Sequence, residues 1–155
     1  MAKFTASVHD HLVIPARVSL TPGRERDFHR KGVPVPLAVP IRLLIDTGSK
    51  RTTLIPSIIR HLRINVAGSA QLVAARGSGR TELFWVNLQF PEAGLAPFPE
   101  ILVARLPMPA ALSQFHGLLG RDLLRRVQSF DYEGLRGCYT IRDKAGPFAW
   151  LRRWL

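Results

Sequence analysis

The sequence has little cysteine, few acidic residues and no long apolar run. One of its 155 residues is cysteine, Cys138, so the chain makes no internal disulfide, and one thiol alone does not build a zinc site. No stretch approaches the ~18 uncharged apolar residues that a membrane-spanning helix needs. The first residues also lack the apolar core of a secretory signal. We therefore expect a soluble, cytoplasmic protein.

Acidic residues are scarcer than basic ones. The chain has 11 Asp and Glu and 22 Lys and Arg, which gives a formal net charge of +11. The basic residues are mostly arginine and are spread along the chain, apart from a cluster at Arg24, Arg26, Arg30 and Lys31. The base composition of a genome produces such a bias as readily as selection for a polyanion does. The net charge is therefore evidence about solubility and about electrostatic steering of binding partners before it is evidence for any particular partner. Nucleic-acid binding by a basic β-domain is the least favoured hypothesis.

Apolar residues make up 46% of the chain, enough for the core of one domain. Residues 12–20 alternate between apolar and other positions, which predicts a strand, and 41–45 form a short buried strand. Residues 24–40 are basic and then proline-rich, which predicts a loop or an edge segment. Short helices are predicted at 56–63 and 122–127. Strands about ten residues apart favour an all-β, barrel-like domain with one or two short helices.

A glycine-tipped hairpin is predicted in the middle of the chain. Residues 71–75 form its first strand, Arg76-Gly-Ser-Gly-Arg80 its turn, and 81–90 its second strand. Two glycines permit the positive φ angles of a mobile turn. Such a hairpin is long enough to cover a cleft, and an ordinary surface turn is the alternative.

Two motifs carry the functional argument. Residues 43–49 read Leu-Leu-Ile-Asp-Thr-Gly-Ser, so that a buried strand delivers the carboxylate of Asp46, then a hydroxyl, then a glycine where the backbone turns. Asp-Thr-Gly alone occurs by chance. The second motif, Gly-Leu-Leu-Gly-Arg-Asp at 117–122, follows about 70 residues later, with the hairpin between them.

Together these features resemble the retropepsin family, the retroviral-type aspartic proteases, over about residues 40–141. The resemblance is closest to the retropepsin-like domains of cellular proteins. It implies a closed, barrel-like domain over 1–145 that is completed as a homodimer, with a peptide or protein substrate and with no metal or cofactor. The C-terminal aromatic and basic tail, 146–155, extends past the matched region.

The resemblance also implies roles for individual residues. Asp46 is the expected catalytic carboxylate, and Arg121 the arginine that braces the active-site loop. Support of the active site is assigned to Thr47, Gly48, Ser49, Gly120, Arg121 and Asp122. The flap and the substrate contacts are assigned to Arg76, Gly77, Ser78, Gly79, Arg80, Leu118 and Leu119.

The chemistry requires two carboxylates, one to activate water and one to protonate the carbonyl oxygen of the peptide bond. The chain has one Asp-Thr-Gly, and Asp122 belongs to the second motif. The sequences that follow the remaining aspartates do not match the motif (Asp10, Asp27, Asp131 and Asp143). The hypothesis therefore needs Asp46 from each subunit of a twofold dimer. We also expect the Ser49 hydroxyl to donate to the Asp46 carboxylate, favour its charged form and shift activity towards acid.

Other readings stay open. A dimeric binding or scaffold module on the same fold, without proteolysis, is the main alternative, since fold does not guarantee activity. Residues 1–40 could be a pro-segment that self-cleavage removes. The tail at 146–155 could touch a membrane surface weakly, but docking against the domain or its dimer partner is favoured.

Overall fold

The computed structural model describes residues 2–7, 11–74 and 77–143. This part of the chain is mostly β, as predicted, with three short α-helices rather than one or two. The elements in chain order are β1 (Ala2–Ser7), β2 (Val13–Ser19), α1 (Pro22–Arg30), β3 (Val39–Ile45), β4 (Thr53–Leu54), α2 (Pro56–Leu62), β5 (Gly68–Ala74), β6 (Gly77–Phe90), β7 (Leu95–Arg105), β8 (Gly117–Leu119), α3 (Arg121–Leu124), β9 (Ser129–Glu133) and β10 (Cys138–Asp143).

The strands form two sheets. A three-stranded antiparallel sheet has the order β1-β10-β9, and a seven-stranded sheet has the order β4-β7-β6-β2-β3-β8, with β5 paired to β6. The path of the large sheet ends at β4 and β8. These ends are joined by the Leu118 amide, which donates to the Thr53 hydroxyl at 3.1 Å, and by the Ile55 amide, which donates to the His116 carbonyl oxygen at 3.0 Å, but they form no strand ladder. Strand pairing among the described residues therefore does not close the barrel that we expected.

Strand β2 shows why the sheet forms where it does. Ile14, Ala16 and Val18 alternate along it and are at most 4% exposed, which confirms the predicted strand. It pairs with β3 on one side and with β6 on the other. Residues 1–40 thus contain an interior strand of the large sheet.

Helix α1 corrects the loop predicted for residues 24–40. The Thr21 hydroxyl caps it by accepting the Arg24 amide at 3.3 Å, and Pro22 begins its first turn. Phe28 is its buried residue, and the Arg24 guanidinium lies 5.3 Å from the centre of that ring. A single apolar residue produces no helical periodicity, which is why the pattern of the sequence did not reveal this helix.

The other short elements lie close to their predicted positions. Pro56 begins α2, and Arg63 ends it in the left-handed conformation with φ of 52°. Strands β9 and β10 pair as an antiparallel hairpin near the end of the described residues. The predicted tail, 146–155, lies outside the described residues. No helix in the described ranges has the length and apolar character needed to cross a membrane.

The core fills the space enclosed by the large sheet, α2 and α3. The small sheet joins this core through Tyr139 on β10, whose side chain is fully buried in it. Along β6 every second residue is buried, at Phe84, Val86, Leu88 and Phe90, which confirms the strand predicted over 81–90. The largest fully buried side chains include Tyr139, Phe90, Phe115, Ile14, Leu20, Leu43, Leu54, Leu62, Leu88 and Leu123. This packing holds β3 and β8 side by side, and the two sequence motifs follow directly from these strands.

Candidate active site

Asp46 lies where β3 ends, and its own loop orients its side chain. The Asp46 amide donates to the carbonyl oxygen of Leu119 at 3.0 Å, which continues the pairing of β3 with β8 by one residue. The amides of Gly48 and Ser49 donate to Oδ1 of Asp46 at 2.9 Å and 3.2 Å. The tight turn therefore holds one carboxylate oxygen in place.

The second oxygen of Asp46, Oδ2, accepts no hydrogen bond from the described part of the chain. The Asp46 side chain is partly exposed, and Thr47 and Gly48 are exposed beside it. An oriented carboxylate with one available oxygen can accept a proton from water or donate one to a substrate. Within residues 2–7, 11–74 and 77–143, no second carboxylate is hydrogen-bonded to it.

Ser49 does not make the contact that we expected. Its hydroxyl donates to the carbonyl oxygen of Arg51 at 2.8 Å, and its backbone amide, not its hydroxyl, reaches Asp46. The expectation that the hydroxyl favours the charged carboxylate is therefore wrong for this chain conformation. The side chain instead stabilises the turn that leads from the Asp-Thr-Gly loop into β4.

The glycines of the second motif allow two chain segments to cross. A Cβ atom on Gly117 would lie 2.0 Å from the carbonyl oxygen of Thr53, and φ of Gly117 is 158°. A Cβ atom on Gly120 would lie 2.5 Å from the carbonyl carbon of Arg51. Residues 51–54 therefore lie directly against β8, and side chains larger than hydrogen do not fit at these two positions.

Asp122 connects the second motif to the first. Its carboxylate accepts the Thr52 amide at 2.9 Å and the Thr52 hydroxyl at 2.7 Å. The Thr52 hydroxyl in turn accepts the amide of Gly120 at 3.1 Å. Because Thr52 is fully buried, these bonds satisfy polar groups that water cannot reach. The structure thus brings Gly120 and Asp122 to the base of the Asp46 loop.

Thr52 and Thr53 are site residues that sequence reasoning missed. Both are at most 1% exposed, and both hydroxyls accept amide hydrogen bonds from β8 or the residue after it. The available signal was a pair of threonines that follows the motif and precedes an apolar residue. A buried threonine needs a polar partner, but the sequence does not show that this partner lies about 70 residues away.

Arg121 braces the loop through its backbone. Its amide donates to the carbonyl oxygen of Ser49 at 2.9 Å. Its side chain is exposed and forms no hydrogen bond or ion pair with the described residues. The expected side-chain brace is thus not seen within one chain, and the carboxylate of Asp122 makes the connecting contacts instead.

The hairpin exists, but its tip is displaced from the predicted turn. Strand β5 pairs with β6 up to Ala74 and Gly77, so Gly77, Ser78, Gly79 and Arg80 lie in the second strand rather than in a turn. Arg76 and the tip lie outside the described residues. The Arg80 guanidinium donates to the Ser69 hydroxyl at 2.8 Å across the two strands.

Leu118 and Leu119 point in opposite directions, because successive residues of a strand face opposite sides of the sheet. Leu118 is half-buried and lies beside Leu44 in the parallel pairing of β3 with β8. It is therefore on the face of the sheet from which Asp46 emerges. Leu119 is 3% exposed and packs in the core. Of the two predicted substrate contacts, only Leu118 is placed to meet a ligand beside Asp46.

The described residues contain no group of three or more His, Cys, Asp or Glu side chains that could hold a metal ion. The basic cluster of α1 is partly neutralised, because Asp27 pairs with Arg30 at 2.8 Å and with Arg24 at 4.0 Å. That arrangement gives no support to a polyanion site on this helix.

The sequence matches no family model and no curated protein. The structure is similar to that of a retropepsin-like aspartic protease from Rickettsia conorii, with a TM-score of 0.56 and 16% sequence identity over 90% of this chain and 89% of that chain. At this level of identity the similarity shows the fold. The chain therefore has a retropepsin-like fold, with Asp46 at the end of a strand and the Gly-Leu-Leu-Gly-Arg-Asp motif directly beside it.

Proposed function

We propose that this protein is an aspartic endopeptidase that works as a homodimer, with Asp46 of each subunit forming the catalytic pair. The observation that carries the proposal is the state of the Asp46 carboxylate. Two amides of its own loop hold Oδ1, and Oδ2 remains available at the exposed surface of the chain. The retropepsin-like fold supports the same assignment.

The reaction would need one ionised and one protonated carboxylate. Two carboxylates about 3 Å apart share one proton, because the charge of the first opposes ionisation of the second. The ionised Asp46 takes a proton from water as the water oxygen attacks the peptide carbon. The protonated Asp46 donates to the carbonyl oxygen. Collapse of the tetrahedral intermediate breaks the C–N bond, and a proton passes to the leaving amine.

The dimer is required because each chain supplies one such carboxylate. Asp46, Thr47 and Gly48 lie together at the surface, which suits contact with the same residues of a second chain across a twofold axis. Thr47 forms no hydrogen bond within the described residues, so its hydroxyl is available for that interface. The expected substrate is an extended peptide, which the β5–β6 hairpin would cover.

The test compares the wild-type protein with Asp46→Asn on a mixture of peptides from pH 3 to pH 7, with mass spectrometry of the products. We expect cleavage by the wild type, inhibition by a pepstatin-like compound and no cleavage by the variant. Sedimentation of the same samples should show a dimer. Cleavage that persists in Asp46→Asn, or a protein that is monomeric while active, would refute the proposal.

A dimeric protein that binds peptides without cleaving them would instead point to the scaffold alternative. Binding of the same peptides to wild type and to Asp46→Asn, measured by fluorescence anisotropy, separates this case from an inactive preparation. The Asp46→Asn variant preserves the size of the side chain. It is matched by Asp27→Asn, which removes a partly exposed carboxylate from α1. Asp27→Asn should cleave as the wild type does.

A further inference from the structure

A cavity lies on the face of the large sheet from which Asp46 emerges. Its volume is about 780 Å³, and its described lining includes His11, Pro15, Arg42, Glu92, Phe115 and His116. None of these residues belongs to either sequence motif. We propose that this cavity binds a carboxylate group of the peptide substrate and thereby selects the substrate; this inference rests on the proposed function.

The pairing of the strands places the cavity relative to Asp46. In the register of β2, β3 and β8, Val13 lies opposite Leu44, and Leu44 lies beside Leu118. Arg42 lies two residues before Leu44 on the same face of β3, and Pro15 lies opposite it on β2. The sheet face therefore presents a row with Arg42, then an apolar row, then Asp46.

The separation suits an extended peptide. Arg42 precedes Asp46 by four residues, which is ~13 Å along a strand at ~3.3 Å per residue. A substrate that lies over the apolar row would have its scissile bond at Asp46. The substrate side chain about four residues from the scissile bond would then reach the cavity.

The cavity is built to present hydrogen-bond donors. The Nδ1 atom of His116 accepts the backbone amide of Arg42 at 3.0 Å, so a neutral His116 ring carries its proton on Nε2. The Arg42 guanidinium lies over the face of the Phe115 ring, 5.5 Å from its centre, so a cation–π contact stabilises its position. His11 packs edge-on against the same ring at 5.2 Å.

The guanidinium of Arg42, which has no acidic partner among the described residues, is the feature of the cavity that favours an anionic group. Arg42 forms no salt bridge with any residue of the described ranges. Glu92 is the one acid among the described lining residues, and it forms no ion pair with Arg42. A guanidinium and an N–H donor that line the same cavity suit a planar carboxylate, because both kinds of group donate hydrogen bonds to its oxygens.

The first test measures kcat/KM on amidated peptides that differ only by Glu or Gln at one position, scanned out to five residues on either side of the scissile bond. We expect the wild type to prefer Glu by about tenfold at a position about four residues away, the size of one charge-assisted hydrogen bond. In Arg42→Gln this Glu-to-Gln ratio should fall close to one. Arg42→Lys, which keeps the charge but not the fork, should give an intermediate ratio.

A matched control removes the same charge elsewhere. Arg60→Gln changes an exposed residue of α2 that does not line the cavity, and its ratio should equal that of the wild type. A peptide that ends at the same position, with a free or an amidated C-terminus, distinguishes a terminal carboxylate from a side-chain carboxylate. Equal rates for all members of both pairs, or a preference that survives Arg42→Gln, would overturn the proposal.

A second measurement separates this inference from the proposed function. In Asp46→Asn, the ring signals of His11 and His116 are followed by NMR while acetyl-Ala-Glu-Ala-amide or acetyl-Ala-Gln-Ala-amide is added. Shifts of these signals with the Glu peptide alone support the cavity as a carboxylate site. Identical responses to both peptides refute it, whether or not the wild-type protein cleaves any peptide.

Discussion

Asp122 and Thr52, 70 residues apart in sequence, form the contact that joins the two motifs of this protein. The backbone amide of Thr52 donates to both carboxylate oxygens of Asp122, each at 2.9 Å. The hydroxyl of Thr52 donates to Oδ1 of the same carboxylate at 2.7 Å. The Leu123 amide also donates to the same carboxylate at 2.9 Å. The base of the Asp46 loop is therefore held by a side chain that follows the strand beside it.

The first prediction concerns this contact. Asp122→Asn preserves the shape of the side chain but replaces an acceptor with an NH₂ donor that faces donors. We expect the free energy of unfolding to fall by about 1.5–3 kcal/mol, the range for hydrogen bonds to charged groups. Urea denaturation followed by circular dichroism measures this loss. Asp27→Asn is the control: it removes a carboxylate whose side chain is partly exposed and pairs with Arg30 at the surface of α1, and it should change stability by less than about 1 kcal/mol.

The second prediction tests the crossing of the segment 51–54 with β8. In Gly120→Ala the new methyl group would lie 2.5 Å from a backbone atom of Arg51 that cannot move away alone. We expect a loss of at least about 2 kcal/mol in unfolding free energy, because overpacking forces the backbone apart. Gly68→Ala is matched, since its Cβ would meet nothing within 4 Å. Equal melting temperatures for the two variants would contradict the observed crossing.

The sequence predicted those parts of the fold in which one face of an element is buried. In β2 and β6 the buried positions repeat every second residue, and this period is visible in the letters. Helix α1 was missed because Phe28 is its one buried residue, so a cap and a proline were the available signals. The two-sheet arrangement was not predictable from local patterns, since it depends on which strands pair.

The same distinction applies to the site. Asp46 and its turn were predicted because a strand, a carboxylate and a glycine follow one another in sequence. Thr52 and the backbone role of Arg121 depend on contacts between residues far apart in the chain, for which one sequence holds no local signal. The tip of the hairpin was misplaced because glycines at 77 and 79 suggested a turn, whereas these residues continue the ladder of β6.

The third prediction concerns Tyr139, which joins the two sheets. Its side chain is fully buried, lies between Phe4 and Phe130, and donates its hydroxyl to the carbonyl oxygen of Val13. Tyr139→Phe keeps the ring contacts and removes that hydrogen bond. We expect a loss of about 1 kcal/mol in unfolding free energy at neutral pH, measured by urea denaturation.

The same residue predicts a pH dependence of stability. Burial raises the pKa of Tyr139 well above its ordinary value. Above about pH 10 the unfolded chain loses this proton while the folded chain keeps it, so the unfolding free energy falls as pH rises. The difference in unfolding free energy between wild type and Tyr139→Phe should therefore shrink from pH 8 to about pH 10.5. A constant or growing difference would contradict the buried, protonated phenol.

The last prediction uses Ser49 to separate two effects on the active site. Because its hydroxyl donates to the Arg51 carbonyl and not to the Asp46 carboxylate, Ser49→Ala should leave the pH optimum of peptide cleavage unchanged. It should lower the unfolding free energy by about 1 kcal/mol. Ser57→Ala, on the exposed face of α2, controls for loss of a hydroxyl and should alter neither quantity. An optimum that moves to higher pH in Ser49→Ala alone would show that the hydroxyl reaches Asp46 in the active protein.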